Sequence, residues 1–390
     1  MASVLVAMSG GVDSSVTAYL LAQQGFDCVG ATMRLWDDPA AAAKQGKTCC
    51  SVDDVEDARN VCRRLGIPHY AFDMTEEFAQ RVVDKFARAY EAGLTPNPCI
   101  DCNRYMKFDL LLHRARELGC DYIATGHYAQ VGRTDRAGGG DGAGSNDGAG
   151  SGDTPGAGDG TMPGAGRFTL SKAADSAKDQ SYVLYALTQE QLARTLFPLG
   201  GLTKPEVRAI AESQGFRNAH KAESQDICFV PDGDYLAFLE RRRGCPYEPG
   251  PILTCDGTRV GTHRGAAGYT IGQRKGLGVA LREPMYVCAK DMASNTVTLG
   301  PRERLMASSC VVADWNWVWP ARSPQDEPLP CAVKTHYRQR EQPARIAALP
   351  DGRVRVDFAA PQRAMTPGQA AVAYVGDQIV GGGTIESAGE

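Results

Sequence analysis

The sequence has no apolar run approaching the roughly 20 residues that a helix needs to cross a bilayer. Its first residues carry neither a basic stretch nor a cleavage site, so neither export nor insertion is predicted and a cytoplasmic protein without membrane contact is expected. Positive charge is not in excess, since 42 Lys and Arg face 46 Asp and Glu for a net charge of -4. A generally polybasic nucleic-acid binder is thereby disfavoured. No G-x-x-x-x-G-K-[ST] segment occurs, which excludes a Walker A phosphate loop. The pair Cys99 and Cys102 has no second C-x-x-C, and Cys49 with Cys50 are adjacent, the wrong spacing for half a zinc knuckle. Neither zinc nor an iron–sulfur cluster is expected. The 13 cysteines are odd in number and form no disulfide framework, which suits thiols kept reduced in the cytoplasm.

What is present is organised around Ser3 to Leu20, SVLVAMSGGVDSSVTAYL. Val4 to Ala7 form a continuous apolar run, the pattern of a strand buried on both faces of a parallel sheet. Ser9, Gly10 and Gly11 then lack bulk, so backbone can approach a polyanion, and Asp13, Ser14 and Ser15 offer N-cap oxygens where a helix begins. Amides at a helix start attract phosphate. An aspartate in such a turn repels phosphate unless a cation intervenes, which points to a nucleotide pyrophosphate with magnesium and Asp13 as its ligand. Val16, Tyr19, Leu20 and Ala22 give the helix its apolar face, and Gly25 stands at the expected C-cap.

Further strands are predicted at Cys28 to Trp36, His69 to Phe72 and Asp121 to Tyr128, each preceded by a helical stretch, the signature of a doubly wound α/β sheet. Carboxyl ends of such strands face the ligand crevice, which would set Gly126 and His127 beside the Gly10–Gly11 turn. TPNPCIDCN, Thr95 to Asn103, places Cys99 and Cys102 on the approach to a helix, where the dipole, Arg104 and Lys107 favour thiolate. The C-x-x-C reads as a redox pair, as one working thiol with a bystander, or, last, as half a metal site. Ser224 to Val230 gives Cys228 an apolar, strand-like context in which a buried core thiol is the plainer reading. Residues 132–166 are dominated by Gly, Ala, Ser, Asp and Thr with almost no large apolar side chain, predicting a disordered insertion. Charge is uneven: about -4 over Met1 to Val131, about +5 over Ala237 to Leu305 and about +4 over Cys331 to Gln369. An acidic half with basic modules downstream suits a polyanionic partner. From about Val297 the pattern is β, with the turn spacing of a small closed barrel or a sandwich.

SGGVDSS resembles the PP-loop of the N-type ATP pyrophosphatases. Together with TPNPCIDCN, ATGHYA, KDQSYVLY, SQDICFV, GYTIGQRKGLG and TPGQ, in that order along nearly the whole chain, it resembles the bacterial tRNA-specific 2-thiouridylases. The resemblance implies a Rossmann-like PP-loop catalytic domain over 1–224 carrying the 132–166 insertion, a small mixed tRNA-binding domain over 225–300, and a C-terminal β-barrel over 301–390. It implies that ATP adenylates C2–O of the wobble uridine in tRNAs for lysine, glutamate and glutamine, and that sulfur then displaces AMP. On this resemblance Ala7, Met8, Ser9, Gly10, Gly11, Val12, Asp13, Ser14, Met33 and Gly126 bind the nucleotide. Cys228 carries the persulfide and Cys102 helps release its sulfur. Asn97, Pro98 and Cys99 meet the flipped-out base of the anticodon loop, Cys99 holding a position that relatives can fill with aspartate. His127, Lys178, Asp179, Gln180, His336, Tyr337 and Gln369 match tRNA-contacting positions. The sulfur donor would be a cysteine desulfurase or a relay protein.

Two other readings stand beside this one. Another PP-loop enzyme would carry a glutaminase domain or an iron–sulfur cysteine triad, neither of which is found. A nucleotide-sensing module would bind ATP without cleaving it, and detection of AMP and pyrophosphate with tRNA present separates the two.

Overall fold

The computed structural model describes residues 1–36, 52–134, 167–221, 227–318 and 327–389. Ser3–Ala7 (β1), Asp27–Arg34 (β2), His69–Asp73 (β3), Tyr122–Ala124 (β4) and Thr195–Leu196 (β7) form a five-stranded sheet in the order β3-β2-β1-β4-β7. All neighbours run parallel. The apolar run of β1 lies at its centre, with Val4, Leu5 and Val6 fully buried. Strand order reverses at β1, so the crevice between the carboxyl ends of β1 and β4 is the topological switch point.

The helix after β1, Val12–Gln23, is capped by Gly11 and not by side-chain oxygens of Asp13, Ser14 or Ser15, which lie inside its first turn. The Ser14 and Ser15 hydroxyls donate to Gly11 O at 3.0 Å each, and Ser14 Oγ accepts from Ser9 N–H at 3.2 Å. Its far end closes as predicted: Gly25 sits at φ +83 and Phe26 N–H returns to Leu21 O at 3.1 Å. Buried side chains on this helix include Val16, Ala18 and Leu21, whereas Tyr19, Leu20 and Ala22 are only partly buried.

Gln130–Arg133 (β5) and Phe168–Ser171 (β6) pair antiparallel across residues 135–166. Gly132 and Arg133 therefore belong to a strand, and the insertion predicted from 132 lies, from residue 135 on, outside the described residues. So do Cys49 and Cys50. The strand predicted over 224–230 does not form within the described residues 227–230. Instead Val230 N–H turns back to Ile227 O, and Phe229 is apolar because it fills a cluster with Phe78, Phe86 and Phe238 at centroid distances of 5.8, 5.2 and 5.3 Å.

β structure begins earlier than Val297. Gly250–Thr254 (β8), Arg259–His263 (β9), Tyr286–Asp291 (β10) and Thr296–Gly300 (β11) form a sheet ordered β10-β11-β8-β9. Met306–Trp317 (β12), Leu329–Lys334 (β13), Gln342–Ala348 (β14), Val354–Arg363 (β15), Ala370–Val375 (β16) and Gln378–Gly389 (β17) then close on themselves, since β12 pairs with both β15 and β17. Closure removes the sheet edges and selects the barrel over the sandwich. The β5–β6 hairpin joins this barrel through one pair, Ser171 with Gln378.

Candidate functional site

A cavity of about 340 Å³ opens at the carboxyl ends of β1 and β4. One wall is the turn after β1: Ala7, Met8, Ser9, Asp13 and Ser14, with Met33 from β2 beside them. Gly10, Gly11 and Val12 shape this turn without lining the cavity. Gly10 needs its lack of a side chain twice over, for its φ of +70 and because a Cβ would run into the backbone of Asp54. Its carbonyl accepts from Asn218 Nδ2 at 2.9 Å, and the same amide nitrogen reaches Ser15 Oγ at 2.9 Å. Ser15 N–H makes a bond back to Gly11 O at 3.3 Å, so the preceding amides have no intrahelical acceptor, the arrangement that suits an anion.

Gly126 lies against that helix start. A Cβ here would come 2.9 Å from Asp13 C and Ser14 N, so only glycine lets the β4 turn meet the turn after β1. The expected neighbourhood of Gly126 and His127 with the glycine turn is thus present.

Asp13 is held by groups that the sequence reading missed. Lys204 Nζ lies 2.7 and 2.8 Å from its two carboxylate oxygens, and Tyr128 OH donates to Oδ1 at 2.9 Å. The Lys204 side chain is 7% exposed and that of Asp13 29%. A positive charge beside this aspartate was foreseeable from its place in an anion-binding turn, but its source lies 191 residues away in sequence. Among the described residues no group of three or more His, Cys, Asp or Glu is placed to hold a metal.

His127 is buried on the cavity wall, its ring 5.9 Å from that of Phe108 and 6.0 Å from that of Phe197. Lys107 Nζ, which can only donate, lies 3.4 Å from Nε2, so Nδ1 carries the proton and donates to Thr125 Oγ1 at 2.6 Å. Burial, reinforced by the Lys107 charge, holds the His127 pKa well below its usual value, and the ring is neutral at pH 7.

The cavity lining also carries thiols. Asn97 caps the helix that starts at Pro98, its side chain accepting from Cys99 N–H at 3.2 Å. Pro98, Cys99 and Cys102 line the cavity, and the helix widens into a π-helical stretch, Cys102–Leu110, beginning at Cys102 itself. Asn103 fixes this stretch by donating to Val183 O at 3.1 Å. Cys228 lines the same cavity from the turn anchored by Phe229. Cys102 and Cys228, 126 positions apart, therefore share one chamber with the glycine turn; Cys99 is the more exposed of the three thiols.

The remaining residues lie around the mouth or beyond it. Gln180 lines the cavity and exchanges two bonds with Tyr128, each 2.9 Å. Lys178 N–H bonds Asp175 O at 3.0 Å. Asp179 orders its own loop through Ala173 N–H and Ser181 N–H, both 3.2 Å, and faces Lys334 of the barrel at 3.8 Å. Tyr337, 40% exposed, donates to Asp179 O at 3.4 Å. Burial lowers the His336 pKa. Gln369 donates to Thr95 O at 2.9 Å.

A parallel α/β sheet with a glycine turn at its switch point, two thiols lining the same cavity as that turn and a β-barrel alongside define a thiol-bearing protein of the nucleotide-binding PP-loop class. Family models agree along the chain: residues 2–232 match the tRNA methyl transferase HUP domain, 237–301 the tRNA methyl transferase PRC-barrel domain and 307–385 the aminomethyltransferase beta-barrel domain. The chain is 46% identical over 99% of its length to the tRNA-specific 2-thiouridylase MnmA of Pelotomaculum thermopropionicum, covering 98% of that protein. It is equally 46% identical, over 99% of its length and 97% of the relative, to the MnmA of Geobacter metallireducens. The chain belongs to the tRNA-specific 2-thiouridylase family.

Proposed function

We propose that this chain is an ATP-dependent tRNA sulfurtransferase that replaces the C2 oxygen of the wobble uridine in tRNAs for lysine, glutamate and glutamine with sulfur. The observation that carries the reading is the shared chamber: Cys102 and Cys228 line one cavity of about 340 Å³ with the glycine-turn residues Ser9, Asp13 and Ser14, the kind of concave site that a nucleotide and a flipped-out base would enter. The amides at the start of the first helix and the Gly10 turn bind the phosphates, with positive charge nearby from Lys204 on Asp13, Lys221 at Gly10 O and Lys107 on the cavity wall. The uridine O2 attacks the α-phosphorus and pyrophosphate leaves, which turns a poor leaving group into AMP. The terminal sulfur of a Cys228 persulfide then bonds to C2 as AMP departs. Cys102 thiolate attacks Cys228 Sγ, forming the Cys102–Cys228 disulfide and leaving the sulfur and its electron pair on the base.

Asp13 is the cavity's single carboxylate among the described residues, and one carboxylate with phosphate oxygens suffices for magnesium, which keeps much of its shell as water. When bound, that ion would neutralise phosphate charge. We assign Asn97, Pro98 and Cys99 to the entering base, supported by Pro98 and Cys99 on the cavity wall, and Lys178, His336 and Tyr337 to contact with tRNA. The three units over 1–224, 225–300 and 301–390 divide the work into chemistry and tRNA grip, a persulfide donor loads Cys228, and the setting is the cytoplasm.

Nucleoside mass spectrometry of bulk tRNA from cells depleted of this protein tests the reading. Loss of 2-thiouridine derivatives supports it, and unchanged levels overturn it.

A further inference from the structure

The barrel reaches the loop that leads into the thiol-bearing helix. Thr366–Gln369, the turn between β15 and β16, packs on Leu94 and Thr95, just ahead of Asn97, Pro98 and Cys99. Thr95 N–H donates to Pro367 O at 2.9 Å, and Gln369 Nε2 donates to Thr95 O at 2.9 Å, so both backbone groups of Thr95 are held by the barrel. Gly368 makes this approach possible: its φ is +92, and a Cβ there would come 2.8 Å from Thr95 N. The Thr95 hydroxyl is buried without a hydrogen-bond partner among the described residues, so this residue's polar anchoring is through its backbone. The barrel turn is itself fixed, Gly368 N–H bonding Ile385 O at 2.9 Å and Ile385 N–H bonding Gln369 O at 2.8 Å. From Thr95 the chain runs in two residues to Asn97, whose side chain caps the helix that presents Cys99 and Cys102.

We propose that Gln369 is a positioning residue for sulfur transfer: it latches the barrel to the 93–97 loop and thereby sets where Asn97 and the Cys102 helix stand in the chamber. The barrel then contributes to the rate of the reaction as well as to the grip on tRNA. One N–H of the Gln369 amide is directed into the protein at Thr95 O, and the split between rate and affinity measured below separates this role from a direct tRNA contact. The inference rests on the sulfurtransferase reading given above.

The test is Gln369→Met, which keeps size and removes the donor, and Gln369→Glu, which sets a carboxylate against the Thr95 carbonyl. Single-turnover thiolation at saturating tRNA and ATP is measured together with the tRNA Kd by filter binding. The rate should fall about tenfold in both variants, the scale of one lost bond with its acceptor left partly buried, while the Kd stays within about twofold. Thermal melting confirms that the variants are folded. Gln369→Lys, which restores a donor of similar reach, should recover most of the rate. An unchanged rate, or a raised Kd with the saturated rate intact, overturns the latch and makes Gln369 a tRNA contact or a bystander. Wild-type protein that forms no 2-thiouridine under the same conditions would instead overturn the sulfurtransferase reading.

Discussion

Lys204 and Asp13 form a partly buried ion pair beside the glycine turn after β1, with Nζ 2.7 and 2.8 Å from the two carboxylate oxygens. The pair places a positive charge where phosphate would sit and keeps the carboxylate from repelling it. Lys204→Met should lower thiolation by about 10² to 10³, the usual loss when one preorganised electrostatic contact is removed from a reacting centre. Asp13→Ala should abolish it. Filter binding should show tRNA affinity nearly unchanged in both, because neither change removes a basic group from the tRNA-facing flank. Full activity of either variant at saturating ATP and magnesium would contradict the assignment of this turn to the nucleotide.

Deleting residues 138–164 should leave melting temperature and activity nearly intact. The deleted composition offers almost no apolar surface to a core, Met162 being its one large apolar side chain, and the flanks already meet: Arg133 pairs with Phe168, and Thr134 N–H bonds Arg167 O at 2.9 Å. A large fall in melting temperature would show that the segment packs, and a selective loss of tRNA affinity would give it a binding role.

His127 predicts a pH effect. Burial first, and the Lys107 charge second, set its folded pKa well below 6.5, so the unfolded chain binds the proton more readily. The stabilisation is complete above pH 6.5 and is lost as pH falls beneath it, by at most about 1.4 kcal/mol per pH unit for a single group. His127→Gln cannot titrate, so its melting temperature should fall less steeply than that of the wild type between pH 7 and 5. Burial also lowers the pKa of His69, His263 and His336, and these remain in both proteins. Parallel slopes would show that His127 is not the group responsible.

Local signals in the sequence were strong where the chemistry is local. An apolar run, a glycine pair and a helix within 20 residues reveal the central strand and its anion-binding turn, and crevice logic alone sets Gly126 against it. Contacts across the chain were not legible. Lys204 opens the helix Lys204–Ser213 with Pro205 behind it and carries no local sign of a partner, Tyr128 reads as the end of a strand and Asn218 as nothing in particular. Each acquires its role only when the sheet folds it onto residues 10–15. The apolar context of Cys228 misled for a related reason: Phe229 and Val230 are apolar to anchor a turn in an aromatic cluster, and alternation cannot tell that from a strand. Gln369 shows the same limit, its amide bound to Thr95 from 274 positions away.

The two cysteines that share the cavity with the glycine turn give the most direct test. Purified protein, ATP, magnesium, a persulfide donor and unthiolated tRNA should yield 2-thiouridine at the wobble position with equal AMP and pyrophosphate. Without reductant, peptide mass spectrometry should find a Cys102–Cys228 disulfide, resolved from Cys255 and Cys288, whose sulfurs already lie 3.6 Å apart. Cys102→Ser and Cys228→Ser should each stop turnover, Cys102→Ser should retain added sulfur on Cys228, and Cys99→Ser should cost little. A Cys99–Cys102 disulfide, or Cys99→Ser as damaging as Cys102→Ser, would contradict the assignment of the two working thiols. Absence of 2-thiouridine from the wild-type reaction would contradict the account as a whole.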